Sequence, residues 1–228
     1  SKSAGPVAKR HATYIQRLPP CNSGCPAGEN IQAWLAAALE GRDREAWETI
    51  VADNPFPAIH GRVCYHPCET VCCRGTLDES VNIHAVERYL GDRALAQDWP
   101  LPEPAESSGR RVLVIGAGPS GLSAAYHLRR LGHAVSVFDA GPVAGGMMAL
   151  GIPRYRLPRE ILAAEIARIE ALGVEIRLNH KVTDLLAHRS AGHFHAIFVA
   201  VGAHLSQRCD IPARDAGNIY DAISFLRE

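Results

Sequence analysis

The sequence lacks several features that would assign it to common classes of protein. Its 24 basic and 24 acidic residues leave no net charge, so nothing indicates a general affinity for nucleic acid or for an anionic membrane. No apolar run is long enough to span a bilayer, and residues 1–10 are polar and basic without the apolar core of a secretory signal. We therefore expect a cytoplasmic protein that binds neither nucleic acid nor membrane. In a reducing cytoplasm, clustered cysteines indicate metal or redox chemistry rather than structural disulfides.

Residues 1–98 show helix signals and no strand-like alternation, which predicts an α-helical domain with ligand-bearing loops. Residues 99–109 (WPLPEPAESSG) are rich in proline and small polar residues and are predicted to be a linker. The predicted helices run over Glu29–Glu40, from a capping Asp43 to the residues before Asn54, and from a capping Asp78 or Ser80 to Gly91.

Strands alternate with helices in residues 110–228, which predicts an open, mostly parallel sheet of the Rossmann-like kind. The fold class is therefore α + α/β, with the helical domain first. The predicted strands are Arg111–Ile115, Ala134–Phe138, Val174–Leu178 and Ala196–Val201, with helices at about Ser120–Leu131 and Pro158–Leu172.

A glycine-rich segment, Gly116–Gly121 (GAGPSG), follows the first strand and opens the first helix of this domain. In a G-x-G-x-x-G fingerprint the first glycine allows a tight turn, the second lets a pyrophosphate approach, and the third lets helix and strand pack. Asp139 ends the second strand about 20 residues on, where a carboxylate accepts hydrogen bonds from ribose hydroxyls. A dinucleotide site is therefore predicted; the alternative is a glycine-rich turn of an unrelated α/β domain.

Both FAD and NAD(P) use this fingerprint, and two further segments favour FAD. Gly145-Gly146-Met147 offers a segment that could lie along a flavin diphosphate. The turn that ends in Gly202-Ala203 is of the small-residue kind that flavoproteins with two dinucleotide sites place near the cofactor. Met147 and Met148 as plain core residues remain the alternative.

Six of the seven cysteines lie between Cys21 and Cys73, spaced as Cys21-x3-Cys25-Pro and Cys64-x3-Cys68-x3-Cys72-Cys73. Short spacings with a trailing proline are typical of [4Fe–4S] ligands, and a nucleotide domain behind them favours iron–sulfur over zinc, which cannot relay electrons. Zinc, with His60 and His66 close by, and disulfides are the alternatives. We expect the two histidines to be hydrogen-bonded loop residues and Cys209 to be a small buried apolar residue.

Five motifs resemble the family of the small (β) subunit of NADPH-dependent glutamate synthase. The same module occurs in dihydropyrimidine dehydrogenase and in ferredoxin-dependent transhydrogenases. The motifs are Gly61–Cys72 (GRVCYHPCETVC), Asn54–Pro57 (NPFP), Val81–Glu87 (VNIHAVE), Val114–Leu122 (VIGAGPSGL) and Gly145–Pro158 (GGMMALGIPRYRLP).

The resemblance implies that Cys25, Cys64 and Cys68 bind one [4Fe–4S] cluster, with Glu87 as an oxygen ligand; a surface carboxylate is the alternative for Glu87. Cys21 and Cys72, the remaining metal ligands implied, are too few for a second cluster because residues 12–20 (ATYIQRLPP) lack the family's upstream Cys-x2-Cys. We therefore expect one cluster. The residues expected at FAD are Gly116, Ala117, Gly118, Pro119, Ser120, Gly121, Asp139, Ala140, Gly145, Gly146, Met147, Arg156, Val182 and Gly202.

The implied function is that of an electron-transfer flavoprotein subunit that passes electrons between NAD(P)(H), FAD and the cluster. Its implied partners are other oxidoreductase subunits or ferredoxin-like iron–sulfur proteins, and no residue is marked as a catalytic acid, base or nucleophile. The Cys-x3-Cys-Pro motif resembles subunits of 2-oxoacid oxidoreductases such as phenylglyoxylate dehydrogenase. The alternatives are the glutamate synthase small subunit proper and a non-catalytic zinc- and nucleotide-binding adaptor. The NAD(P) domain is expected beyond Glu228, which would leave the FAD domain incomplete.

Overall fold

The structure, a computed structural model, describes residues 18–203 and 222–226; Cys209 lies outside them. Its first part is helical, as predicted, and includes three short helices that the sequence did not indicate. These are the first, fourth and fifth of the series, and each begins with a proline, whose fixed φ suits a first helical position. The helices are α1 (Pro20–Gly24), α2 (Ile31–Leu39), α3 (Asp43–Val51), α4 (Pro57–Val63), α5 (Pro67–Thr70) and α6 (Ile83–Ala96), with a 3₁₀ turn at Cys73–Thr76.

The predicted caps of two helices were wrong. Arg42 precedes α3, and Asp43 lies in its first turn, where its carboxylate accepts hydrogen bonds from Tyr89 and Arg93 of α6. Helix α6 begins after Asn82 rather than at Asp78 or Ser80. An acidic or hydroxyl residue near a helix start is a local signal, whereas these ends are set by contacts between distant helices.

Helix α6 also runs through Gly91, where the sequence predicted its end. Gly91 is buried against α4, and a Cβ built on it would overlap the backbone nitrogen of Ala58. The glycine therefore permits close packing of α4 and α6 rather than ending a helix.

Because of this packing, Gly91→Ala should lower the free energy of unfolding by about 3 kcal/mol, the cost of overpacking a close contact. Urea denaturation followed by circular dichroism measures the loss. The matched control is Gly75→Ala, since a Cβ at Gly75 has no neighbour closer than 3.8 Å, the distance to the backbone nitrogen of Ser80. Equal stability of the two variants would contradict the packing role of Gly91.

The second part is the predicted parallel sheet, with strand order β3-β2-β1-β4. The first two strands match their predicted bounds, and β4 ends two residues before the predicted Val201. The strands are β1 (Arg111–Ile115), β2 (Ala134–Phe138), β3 (Glu175–Arg177) and β4 (Ala196–Val199), and the helices are α7 (Pro119–Arg130), α8 (Met147–Leu150), α9 (Arg159–Ala171), α10 (Leu185–Ala191) and α11 (Ala222–Phe225).

The segment of residues 99–109, predicted to be a linker, is packed against both parts. Trp99 is buried, with its ring centroid 5.8 Å from that of Trp47 in α3. Farther along, the backbone N–H of Ala105 donates to the carbonyl of Arg130, at the end of α7, over 3.0 Å. The segment therefore fixes the helical part against the sheet.

The two parts also share one hydrophobic core, which includes Trp34 and Ile59 of the helical part and Leu122 of α7. Polar contacts join them as well, since the Tyr126 hydroxyl donates to the carbonyl of Val51 over 2.6 Å. Among the helices described, none has the length and apolar character that crossing a membrane requires.

Candidate functional site

The short helices α1 and α5 pack closely and bring the two cysteine motifs together. A Cβ on Gly24 would lie only 2.6 Å from Cγ2 of Val71, so glycine is needed where α1 meets the end of α5. The elements also place each thiol, since Cys25 follows the last residue of α1 and Cys64 follows that of α4. Cys68 lies in α5 and is buried.

The thiols form two groups according to their electrostatic effects on one another. Burial raises the pKa of Cys68 to about 12, with a smaller contribution from Cys25 and a lesser one from Cys64. Burial likewise raises the pKa of Cys21, on which Cys72 and Cys73 act. The sequence predicts a similar division, with Cys25, Cys64 and Cys68 as ligands of one cluster and Cys21 and Cys72 outside it.

The group of Cys25, Cys64 and Cys68 suits an iron–sulfur cluster. A buried thiol resists ionisation, and a bound metal supplies the positive charge that deprotonates it. The backbone N–H of His66 donates to Sγ of Cys64 over 3.3 Å, the kind of hydrogen bond that tunes cluster potentials. The six cysteines within the described residues are free, with none joined in a disulfide.

Glu87 is buried, so the alternative of a surface carboxylate is wrong. Nδ2 of Asn54 donates to Oε1 of Glu87 and to Oε1 of Glu29, each over 2.8 Å. Burial and the nearby Glu29 raise the pKa of Glu87 well above its usual range. Burial raises the pKa of Cys25, and Glu29 acts on it as well, so these two carboxylates and their shared amide adjoin the first thiol group.

Glu29 and Asn54 were not singled out by the sequence as site residues. Asn54 stood in one of the matched motifs, which was a usable signal, whereas nothing distinguished Glu29 from other residues at a helix start.

His66, Glu69 and His84 have side-chain atoms within 4.8 Å of one another. Oε1 of Glu69 accepts from the backbone N–H of His84 over 2.9 Å and lies 2.8 Å from its Nδ1, and the two imidazole rings stack with centroids 4.0 Å apart. This cluster ties α5 to the first turn of α6. The expectation for His60 was wrong, because it lies inside α4, where burial lowers its pKa to about 4.

Gly116 and Gly121 have the structural roles expected of the first and third glycines of the fingerprint. A Cβ on Gly116 would overlap the carbonyl of Ala200, and Gly116 has a φ of +108°, in the region that favours glycine. A Cβ on Gly121 would overlap the carbonyl of Gly116. Gly118 differs, because its nearest neighbour in that direction is Cα of Gly146 at 3.9 Å. The space beside Gly118 is therefore open, as a bound phosphate requires.

Asp139 lies directly after β2 and faces the fingerprint. Its carboxylate accepts hydrogen bonds from the backbone N–H groups of Ala117 and Gly141, each over 2.7 Å. A carboxylate has about four acceptor positions, so two remain for ribose hydroxyls. Its neighbour Ala140 is exposed.

Gly145, Gly146 and Met147 lie against the fingerprint from the other side. The N–H of Gly145 donates to the carbonyl of Ala117 over 2.7 Å, and a Cβ on Gly146 would lie 2.8 Å from Cα of Gly118. Met147 is 49% exposed and Met148 only 5%, so the core alternative holds for Met148 alone.

Gly116–Gly121, Asp139 and Gly145–Met147 together form what we call the glycine cradle. The other residues expected at FAD are spread around it. Arg156 is exposed and makes a minor contribution to the lowered pKa of His66, of which burial is the main cause. Val182 packs beside the sheet against the core that contains Phe138, and Gly202 is exposed after β4 with a φ of +73°. Pro119 and Ser120 occupy the first turn of α7.

Comparison with known proteins agrees with the order of the two parts of the chain. Residues 8–99 match the family described as dihydropyrimidine dehydrogenase domain II, 4Fe-4S cluster, and residues 114–154 match the NAD(P)-binding Rossmann-like domain. The chain is thus of the oxidoreductase-subunit class, with an iron–sulfur domain ahead of a nucleotide-binding domain.

Its homologues include glutamate synthase small chains, which match the family that its motifs resemble. It is 39% identical to the NADP(+)-dependent formate dehydrogenase subunit beta of Moorella thermoacetica, over 92% of this chain and 33% of that relative. It is 37% identical to the NADPH-Fe(3+) oxidoreductase subunit beta of Geobacter sulfurreducens, over 97% of this chain and 34% of the relative. It is 35% identical to the glutamate synthase [NADPH] small chain of Mycobacterium tuberculosis, over 92% of this chain and 43% of that relative. The chain therefore spans from about a third to less than half of the length of these relatives.

Proposed function

We propose that the chain is the iron–sulfur and flavin-binding part of a subunit that passes electrons between NAD(P)(H), FAD and a [4Fe–4S] cluster. One observation carries the proposal: Cys68 lies in the same hydrophobic core as Ala117 and Met148 of the nucleotide site, with Cys25 packed against that core. Two centres held this way suit electron transfer between them. The three relatives are named as NADP-linked redox proteins, which supports the same reading.

In this proposal Cys25, Cys64 and Cys68 bind the cluster, and Glu87 supplies the fourth ligand. Burial of Glu87 beside Glu29 opposes its ionisation, and the positive charge of bound iron would offset that effect. Asn54 donates to Glu87 through one amide hydrogen and so orients the carboxylate. Cys21 and Cys72 remain outside this cluster.

FAD is the nucleotide that the cradle suits best. The open space beside Gly118 and the N-terminus of α7 would receive the pyrophosphate, and Asp139 would bind the ribose. The exposed Met147 and Arg156 would face the rest of the cofactor, in the direction of the cysteine loops. When bound, FAD supplies hydride acceptance and release of single electrons, while the protein binds and orients it.

The proposed partners are other subunits of an oxidoreductase complex, of 2-oxoacid oxidoreductase type, or ferredoxin-like iron–sulfur proteins. Two of the relatives are named as beta subunits, which supports a place in a larger assembly. NAD(P)(H) would bind to a further domain of the same subunit. A reducing cytoplasm is the compartment that six free thiols suit.

The cofactor content tests the proposal directly. The protein encoded by the natural gene, purified without oxygen, should contain about four irons per chain, the content of one [4Fe–4S] cluster. Its absorption spectrum should show flavin bands on a broad iron–sulfur shoulder, and NAD(P)H should bleach both. About eight irons per chain would refute the single cluster. A colourless protein with stoichiometric zinc would refute the electron-transfer function and favour the adaptor.

A further inference from the structure

We propose that helix α9 fixes the flavin site relative to the cluster site, with Arg159 and Glu165 as its positioning residues. The inference rests on the proposed function and adds to it the element that sets the geometry between the two cofactors. Neither residue belongs to the expected cofactor contacts. Their importance follows from what each side chain binds.

Arg159, in the first turn of α9, binds three carbonyl oxygens of the segment that precedes the helix. Its Nη1 donates to Leu157 over 2.9 Å and to Met148 over 3.2 Å, and its Nη2 donates to Ile152 over 2.7 Å. A planar guanidinium can bind several acceptors in one fixed arrangement, which an ammonium cannot. The segment it holds carries Met147 and Arg156, so Arg159 shapes one wall of the flavin cradle without facing it.

One turn later, Leu162 contacts the cradle itself. Its Cδ2 lies 3.0 Å from the position that a Cβ on Gly145 would take. Helix α9 therefore supports both the start and the end of the flavin segment.

Glu165 is fully buried and binds the helix that leads to the cluster. Its Oε1 accepts from the backbone N–H of Ala58 over 3.0 Å, in the first turn of α4. Phe56, the residue before α4, provides no side-chain cap, so Glu165 takes that role from a distant part of the chain. Since Cys64 directly follows α4, the carboxylate anchors the helix that presents this thiol.

Arg168 continues the row on α9. Its Nη1 lies 3.5 Å from Oε2 of Glu165, and its guanidinium lies over the Trp47 ring, 5.2 Å from the centroid. Positions 159, 162, 165 and 168 are three residues apart, so successive members are neighbours on the helix surface and the row winds around the axis. One side of a rigid helix thus holds the flavin segment and another side holds the helical part, with Arg159 and Glu165 about 9 Å apart along the axis.

A purely stabilising role would not require a charge at position 165. Burial raises the pKa of Glu165 to about 7, which shows how unfavourable its ionised form is there. Apolar residues of similar volume often stabilise a core as well as a buried ion pair does. A carboxylate that reaches one N–H of α4 specifies the position of that helix, which apolar packing alone does not.

The first test changes Arg159 in the natural, full-length protein. Arg159→Ala should weaken flavin binding about tenfold or more, because hydrogen bonds from a charged donor to the segment are lost. Arg159→Lys should recover part of the affinity, since an ammonium can reach one of the carbonyls. The control is Glu160→Gln, an exposed neighbour in the same turn. Flavin titration of the apoprotein measures these affinities, and equal affinity of all variants would overturn the role of Arg159.

The second test separates the two electron-transfer steps. Glu165→Asp withdraws the carboxylate from Ala58 by one methylene and keeps its charge beside Arg168. Rapid mixing with NAD(P)H should show flavin reduction at the normal rate and reduction of the cluster slowed several-fold. Glu170→Gln, on the exposed face of α9, should change neither step. If the aspartate variant does not fold, Glu165→Gln can replace it, because glutamine keeps an acceptor in place. This variant should show normal flavin reduction and a smaller slowing of cluster reduction.

Two results would overturn the role of Glu165: equal slowing of both steps, or no slowing of either, in variants with wild-type melting temperatures. Failure of the proposed function looks different, because the wild-type protein would then contain no flavin or no iron.

Discussion

Replacing Cys25 with serine should remove the iron from the protein and leave its nucleotide site intact. Cys25 lies in the group with Cys64 and the buried Cys68, and serine cannot supply the thiolate that a cluster requires. The iron content should fall from about four atoms per chain to nearly none, while the flavin content remains at about one per chain. Colorimetric iron assay and flavin release by acid measure the two quantities in one sample.

The matched control for this experiment is Cys73→Ser. Cys73 is exposed and acts on Cys21 rather than on Cys68, so its loss should leave the iron content unchanged. If Cys25→Ser keeps its iron, Cys25 is not a ligand. If it loses flavin together with iron, the two sites do not form independently.

Replacing Gly118 with valine should abolish nucleotide binding in a protein that still folds. The backbone at Gly118 is extended, with φ −79° and ψ −179°, so other residues can adopt it. A Cβ at this position has no neighbour closer than Cα of Gly146 at 3.9 Å, so the new side chain would occupy the space that the pyrophosphate needs. We expect a loss of at least about 100-fold in flavin affinity, ~3 kcal/mol, with little change in melting temperature.

Two other variants make this result specific. Gly121→Val should unfold or aggregate the protein, because its side chain would overlap the carbonyl of Gly116. The control is Ala191→Val, which enlarges an exposed side chain at a helix end of the same domain and should leave flavin binding and folding unchanged. Normal flavin affinity in Gly118→Val would show that the phosphates do not lie at this glycine.

The sequence predicts the parts of the fold whose signals are local. The apolar runs of β1 and β2, each bounded by a change of composition, mark their ends correctly, and the fingerprint between them follows from strand, glycines and helix in order. The helical part is harder, because its short helices depend on packing. Gly91 reads locally as a helix end, and only the close approach of Ala58, from another helix, shows why the helix continues.

Much the same division holds for the candidate site. Cysteine spacing and family motifs identify the thiols, and the structure groups Cys25 with Cys64 and Cys68 as the sequence suggests. The network of Glu29, Asn54 and Glu87 joins residues 25 and 33 positions apart, so no local pattern reveals it. Long-range contacts between polar residues of ordinary type leave no periodicity to detect.

The packing of Trp99 on Trp47 bears on how chains of this kind can be recombined. A boundary drawn at residues 99–109 looks like a natural place to exchange one nucleotide domain for another. A foreign partner would, however, have to place a backbone acceptor for Ala105 at the end of α7 and a cation over the Trp47 ring, as Arg130 and Arg168 do here. Domain exchanges that preserve stability should therefore transfer the helical part together with β1, α7 and β2 as one unit.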